Sequence, residues 1–325
     1  MEILEAFCQE LGRAIDIYEA QQTFFAAAPG SRKRLNFRCS DNLCRGALTP
    51  LIVAVNYDKH ADETEKYRQP YFKSHDKHPH LPSCTWVLNS SKRVASLEGV
   101  DDAHEPRISS AKVTDVIDVF NPKTFDTPAR RAETIGQSAR DDATSIKEDA
   151  AVHEKSRARE GYSSTTRLER FINCWSSTEQ EDRKSQHVVI DGQTLTYRQA
   201  VLHVKYITHE ESGSRVVHGG VRVKLWPEGK PTRIYLNFMD ECSRLGENQG
   251  SRALTIDLPI KRVNEYLGGA LMMERIQQAS TSKSYLKAYA WGRIEARDGD
   301  KPGYQVELDS LDNLVLKVTP RKSAA

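Results

Sequence analysis

Three cysteines and one histidine near the start of the chain have the types and spacing of metal ligands. Cys39 and Cys44 are separated by four residues, and His80 and Cys84 by three residues that include a proline. Structural zinc prefers four cysteine or histidine ligands in a tetrahedron, usually as two pairs that are each close in sequence. The spacing therefore predicts a closed zinc site, which would supply folding free energy to a segment too small to fold alone.

The histidine of this site remains open at the level of sequence, because His75 and His78 closely precede His80. We expect His80 as the fourth ligand, since it forms the tighter pair with Cys84. The competing interpretation is that two of these cysteines are simply buried, that the third is there by chance, and that the histidines lie at the surface. Half of the six cysteines lie in this one segment, which favours zinc.

The same segment resembles the N-terminal zinc segment of bacterial CoiA-like competence proteins. The matching features are Phe37-Arg38-Cys39, the nearby Cys44, Tyr71-Phe72 and the closing His80-x-x-x-Cys84. The resemblance covers roughly one sixth of the chain. It departs from the family in a long insertion between Cys44 and Phe72, and no nuclease motif follows. The resemblance implies a bacterial protein that acts near DNA, and it carries no activity across.

Alternation along three expected strands gives faces that mix cations with aromatic rings. Such a face is suited to binding single-stranded nucleic acid, because Arg and Lys neutralise phosphates and aromatic rings stack on bases. The same alternation also fits a half-buried antiparallel sheet whose rings pack inside the protein. The candidate nucleic-acid-binding residues are Arg222, Lys224, Trp226, Arg233, Tyr235, Lys287, Tyr289, Trp291 and Arg293.

The sequence predicts an α+β fold in four parts, whose elements must position these residues. Residues 1–30 are predicted to form an amphipathic helix, from apolar residues at spacings of three and four. Residues 31–87 are predicted to form a zinc-ribbon-like module. Residues 88–165 have few aromatic residues and many charged ones, which is typical of a disordered linker. Residues 166–320 are predicted to form a β-rich domain, either an OB-like barrel or a small sandwich, with added helices.

Local signals define elements within these parts. Asp191-Gly192 between apolar runs predicts a hairpin, because both residues tolerate positive φ. A second hairpin is expected around the turn at 227–231. Helices are expected at 198–207 and 263–278. The apolar residues of 113–120 are expected to form a short helix or a docking segment.

The composition restricts the class of protein. The chain has 325 residues, with 47 Lys and Arg against 45 Asp and Glu, so its formal net charge is only +2. This excludes a simple polycation, although a local basic face can still bind nucleic acid. No apolar run approaches the roughly 20 residues of a membrane-spanning helix. The acidic Glu2 and Glu5 do not fit a secretory signal, and six irregular cysteines fit a reducing cytoplasm.

Common enzyme motifs are missing from the sequence, which has no GxxxxGK[ST] phosphate loop, no GxGxxG after a strand and no GxSxG elbow. This favours a non-enzymatic protein without deciding the matter. We expect a zinc-stabilised nucleic-acid-binding or adaptor protein of a bacterial DNA-associated system. One alternative is a protein-interaction subunit that docks through residues 2–26 or 113–120. The other is a metal-dependent nuclease that uses Asp240, Glu241 and Asp257.

Overall fold

A computed structural model of the chain describes nine stretches of residues and confirms the α+β class. Strands of these stretches form three sheets, and helices cover them. No helix among the described residues is long and apolar enough to cross a membrane. Most of the expected linker lies outside the described residues, which are 2–60, 69–75, 77–88, 116–122, 164–207, 215–242, 253–281, 284–297 and 303–320. The helices are α1 (Ile17–Ala26), α2 (Asn42–Leu48), α3 (Leu168–Ser177), α4 (Tyr197–Ala200), α5 (Ile260–Glu265) and α6 (Gly269–Thr281).

The first sheet has six antiparallel strands in the order β1-β6-β5-β4-β2-β3. Its inner face is apolar and packs against α1, with Phe37, Ile52 and Phe72 among its buried side chains. The sheet joins residues from both sides of the expected boundary at residue 30. Its strands are β1 (Glu2–Ile3), β2 (Glu5–Cys8), β3 (Arg13–Asp16), β4 (Phe37–Cys39), β5 (Leu51–Val55) and β6 (Tyr71–Ser74).

The expected helix over residues 2–26 is wrong for its first half, since only Ile17–Ala26 is helical. Gly12 has a φ of 66° and lies between β2 and β3, where it allows the chain to reverse. Within β2 the buried residues are Ala6 and Cys8, which is the period of two of a strand. Apolar residues three and four apart therefore matched a helix by chance, and pairing with β4 decided the conformation.

The second and third sheets occupy the C-terminal half. The second is small and has the order β10-β9-β7-β8, and the third has eight strands. In the third sheet the order is β16-β17-β14-β13-β12-β15-β18, and β11 pairs with β12. The strands are β7 (Val119–Phe120), β8 (Ser164–Thr165), β9 (His187–Ile190), β10 (Gln193–Thr196), β11 (Val201–His203), β12 (Val216–Trp226), β13 (Arg233–Phe238), β14 (Leu254–Pro259), β15 (Ser284–Trp291), β16 (Arg293–Arg297), β17 (Gly303–Glu307) and β18 (Leu314–Pro320).

Two apolar layers cover the eight-stranded sheet, an arrangement closer to the expected sandwich than to a barrel. One face packs against α5 and α6. The other face is covered at one end only, by α3 and the four-stranded sheet. This partial cover leaves the other end of that face open, and five of the nine candidate nucleic-acid residues lie there.

Several local expectations are confirmed, and three differ from the structure. The hairpin at Asp191-Gly192 forms, with φ of 47° and 75°, and β12 pairs with β13 across the second expected turn. The expected helix 198–207 is wrong, because β11 and a 3₁₀ turn replace it after α4. The expected helix 263–278 is divided into α5 and α6. Val119–Phe120 is a strand rather than a helix, and it docks into the chain's own core.

A polar seam joins the first sheet to the C-terminal half. The guanidinium of Arg167 lies 2.5 Å from Asp16, 3.8 Å from Glu19 and 3.6 Å from Asp312. Nearby, the Gln22 amide donates a hydrogen bond to the Tyr266 hydroxyl at 2.9 Å. Arg167 therefore balances carboxylates from both halves of the chain within a mostly buried contact.

Replacing Arg167 by Met is expected to lower the free energy of unfolding by about 3 kcal/mol, because it leaves partly buried carboxylates without a cation. Urea unfolding followed by circular dichroism measures this. The exposed Arg198 provides the matched control, since Arg198→Met should change stability by less than about 0.5 kcal/mol. Equal effects of the two substitutions would show that the seam does not hold the halves together.

Candidate metal centre and nucleic-acid interface

The structure brings Cys39, Cys44, His80 and Cys84 together beside the first sheet. One ligand atom from each residue lies within 4.8 Å of all the others. The Sγ atoms of Cys39 and Cys84 are 3.7 Å apart. The His80 Nδ1 atom is 3.6 Å from the Cys44 Sγ and 3.4 Å from the Cys84 Sγ. These four residues are called the Cys₃His cluster below.

The distances fit a tetrahedral zinc ion. Zinc bonds of ~2.3 Å to sulfur and ~2.0 Å to nitrogen place two sulfurs ~3.8 Å apart and a sulfur ~3.5 Å from a nitrogen. The separations of 3.7, 3.6 and 3.4 Å are close to these tetrahedral edges. Three thiolates and an imidazole are also the donor set that zinc favours. The cluster can therefore hold a metal ion with four protein ligands and no open position.

Asp41 positions both halves of the cluster. Its carboxylate accepts a hydrogen bond from the Cys44 backbone N–H at 2.9 Å, which caps the start of α2. Its other oxygen accepts from the Thr85 N–H at 3.0 Å, at the start of the helical turn 85–88. These bonds keep the pKa of Asp41 below its usual value. One carboxylate thus connects two segments that are more than 40 residues apart.

Arg45 holds the backbone of the first cysteine pair in place. Its guanidinium donates to the backbone carbonyls of Cys39 at 2.9 Å and Ser40 at 3.1 Å. The same group lies 3.9 Å from the centre of the Phe7 ring, so it also anchors this loop to β2. The Ser40 hydroxyl in turn accepts a hydrogen bond from the Trp86 indole N–H at 2.9 Å.

Burial shifts the pKa values of side chains in the cluster. The three cysteines are at most 1% exposed, and burial raises the pKa of the Cys39 and Cys44 thiols. Burial lowers the pKa of His80, which keeps the imidazole neutral and its lone pair available to a metal. A bound cation reverses the effect on the thiols, because coordination stabilises thiolates.

The other histidines do not join the cluster. His75 uses its Nδ1 atom to accept a hydrogen bond from the Lys77 N–H at 3.2 Å. The rings of His75 and His78 lie against each other with centres 4.9 Å apart. Of the three histidines that the sequence left as candidates, His80 is therefore the one that lies in the cluster.

The candidate nuclease carboxylates are not gathered into a metal site. Among the described residues, the Cys₃His cluster is the one group of three or more possible ligands that the structure brings together. Asp257 accepts two hydrogen bonds from Arg233, at 2.8 and 2.6 Å. Asp240 instead lies 3.6 Å from the His203 ring. Each of these carboxylates thus already has a basic neighbour.

Two of the candidate nucleic-acid residues are buried, and their expected exposure is wrong. Tyr289 and Trp291 are 4% and 6% exposed, in the core beneath α3. They pair across β12 with His218 and Val216, at the covered end of the sheet face. Replacing Trp291 would remove core packing rather than a base-stacking surface.

The open end of the same face carries most of the remaining candidates. Arg222 and Lys224 are exposed, and Trp226 is 48% exposed. Tyr235 lies directly across from Lys224 on β13. The Lys224 ammonium lies 5.0 Å from the centre of the Trp226 ring. These four residues are called the basic patch.

The charges of Arg233 and Arg293 are compensated, unlike those of the patch. Arg233 is held by Asp257, and Arg293 lies 3.6 Å from Glu295 and 4.0 Å from Asp309. Arg293 also lies on β16, away from the patch strands. Within the part of the chain that the structure describes, Arg222 and Lys224 form no ion pair.

Some residues that form or orient these sites were not predicted from the sequence. Asp41 carries a signal that could have found it, because an aspartate directly before a short helix is a typical N-cap. Arg183, His203 and His218, which lie near Lys287, carry no such signal, because separate elements bring them together.

Cys84→Ser is expected to reduce bound metal at least about tenfold, since it removes one of four ligands. Mass spectrometry of the metal content of the purified protein measures this. Cys8 is a matched control, because it is also a buried cysteine but lies in the first sheet, outside the cluster. Cys8→Ser should keep the metal, and a similar loss in both variants would contradict the assignment.

No protein-family model matches the chain, and neither a curated protein nor a solved structure matches it.

Proposed function

We propose that this chain is a zinc-stabilised protein that binds single-stranded nucleic acid through the basic patch. The observation that carries the proposal is the exposed Trp226 ring beside the Lys224 ammonium on an open sheet face. Arg222 adds a second uncompensated cation two residues away on the same face. Cations for phosphates and a ring for a base are the two requirements of single-strand binding.

The sheet face gives the patch a fixed geometry. Arg222, Lys224 and Trp226 lie at alternate positions of one long strand, so their side chains project from the same face. Trp226 pairs with Arg233 across β13, and the bond of Arg233 to Asp257 ties this row to β14. A bound strand would therefore meet a preorganised row of contacts, with little loss of backbone freedom in the protein.

Zinc has a structural role in this proposal. The Cys₃His cluster stabilises the first sheet, which contacts the C-terminal half through α1 and Arg167. The metal has four protein ligands, so it supplies folding free energy and no open catalytic position.

The biological setting follows from the cysteines and from the family resemblance. No disulfide bond links the six cysteines, which all belong to the described residues and are buried, and this favours a reducing cytoplasm. The resemblance of the zinc segment to CoiA-like competence proteins supports a place in a bacterial DNA-associated system.

Docking of a protein partner through residues 2–26 or 113–120 has less support. Helix α1 packs against α6 of the same chain. Ile117, Val119 and Phe120 are buried within the chain's own core. The described apolar side chains of both segments thus largely have intramolecular partners.

Trp226→Ala is expected to weaken binding of a labelled single-stranded oligonucleotide about tenfold, because one stacked base loses its platform. Fluorescence anisotropy at low salt measures the affinity. Trp226→Phe keeps a ring at this position and should retain most of the binding.

A charge variant tests the other half of the proposal. Lys224→Gln should make the slope of log affinity against log salt shallower by about 0.7, the value for one phosphate contact on a single strand. Lys261 is an exposed lysine on α5, and Lys261→Gln should leave the slope unchanged. No binding at low salt, or equal affinities of the wild-type protein and Trp226→Ala, would refute the proposal.

A further inference from the structure

A second basic site lies where the covered part of the sheet face meets the basic patch. Lys287 and His218 project from this face on β15 and β12, and His203 comes from β11. Arg183 approaches from the layer that covers this end of the sheet. These four residues are called the His218 cluster, and the Trp175 and Tyr289 rings frame it.

His218 is a buried imidazole without a hydrogen-bond partner. It is 9% exposed, its Nδ1 atom is buried, and neither ring nitrogen bonds to a described residue. The ring is stacked on Tyr289 with centres 5.3 Å apart and lies 5.6 Å from the Trp175 ring. Buried polar groups in proteins are nearly always satisfied, so this imidazole points to a partner from outside the described chain.

Two cations beside His218 also lack a counter-charge. The Arg183 guanidinium lies 4.0 Å from the Trp175 ring centre and donates hydrogen bonds only to backbone carbonyls among the described residues. The Lys287 ammonium is half-buried and 5.0 Å from the Tyr289 ring centre. No carboxylate of the described residues pairs with either group.

The electrostatics agree with this geometry. Burial lowers the pKa of Lys287, and the charge of Arg183 lowers it further. Burial also lowers the pKa of His218 to about 3, aided by Lys287, His203 and Arg183, so the imidazole is neutral. Partly buried cations that repel one another are unfavourable, and an anion among them would relieve the repulsion.

The phosphate group matches this set of donors. Guanidinium, ammonium and imidazole N–H groups can all donate to its oxygens, and a dianionic phosphate neutralises two cations. Lys287 pairs with Gly220, which is two residues before Arg222 on β12, or about 7 Å along the strand. A nucleic-acid strand on the basic patch could therefore reach the cluster with its end.

We infer that the His218 cluster binds the terminal phosphate of a single-stranded nucleic acid. A terminus fits better than an internal phosphate, because α3 and the four-stranded sheet cover the face beyond the cluster and close the path of a continuing strand. The source of the phosphate rests on the nucleic-acid binding proposed above, whereas phosphate binding itself can be tested without nucleic acid.

Oligonucleotides of one sequence, carrying a 5′-phosphate, a 3′-phosphate or neither, test the terminus. One phosphorylated form should bind about tenfold more tightly than the unmodified form, the effect of a charge-assisted contact. Lys287→Gln should abolish this preference, and Lys261→Gln should keep it. Equal affinities of the three oligonucleotides would overturn the terminal assignment and leave the proposed function standing.

Inorganic phosphate tests the site directly on the full-length protein. The histidine ring signals are followed by NMR at constant ionic strength, and His218→Gln assigns the His218 signal. A saturable shift of this signal, absent in Lys287→Gln, supports the phosphate site even if no oligonucleotide binds, in which case only the proposed function fails. A signal that does not respond to phosphate overturns the inference whatever the oligonucleotides do.

Discussion

The close approach of three buried thiols and one imidazole is the constraint on which the first sheet depends. Cys39 and Cys44 come from the β4–α2 segment, and His80 and Cys84 come from a loop far along the chain. Asp41 orients both segments, but its carboxylate is an anion and cannot stabilise buried thiolates. A divalent cation can, because coordination converts electrostatic repulsion into ligand bonds. A bound metal ion would therefore join the two segments beside the sheet.

The second organising feature is a sheet face that is only partly covered. On β12 and β15, residues of one face pass from the core at Trp291 and Tyr289, through half-buried Lys287, to exposed Lys224 and Trp226. Layers packed on one end supply the core, and their edge creates the His218 cluster. The open end keeps cations and a ring in solvent. One strand pair thus provides core packing at one end and, in the proposed function, a binding surface at the other.

The sequence predicted what depends on local residue type and spacing. The Cys₃His cluster and the Asp191-Gly192 hairpin belong to this class, since ligand chemistry and positive φ act over a few residues. Prediction from the sequence failed where contact with a distant element determines the conformation or the burial of a residue. Residues 2–16 became strands because β4 pairs with β2, and Trp291 is buried because α3 covers it. The approach of Arg183 to Lys287 likewise depends on packing between separate layers.

X-ray absorption at the zinc edge of the purified protein tests the central claim most directly. The account predicts one zinc ion with three sulfur ligands at ~2.3 Å and one nitrogen ligand at ~2.0 Å. A folded protein without zinc, or zinc bound by oxygen and nitrogen atoms alone, would contradict it.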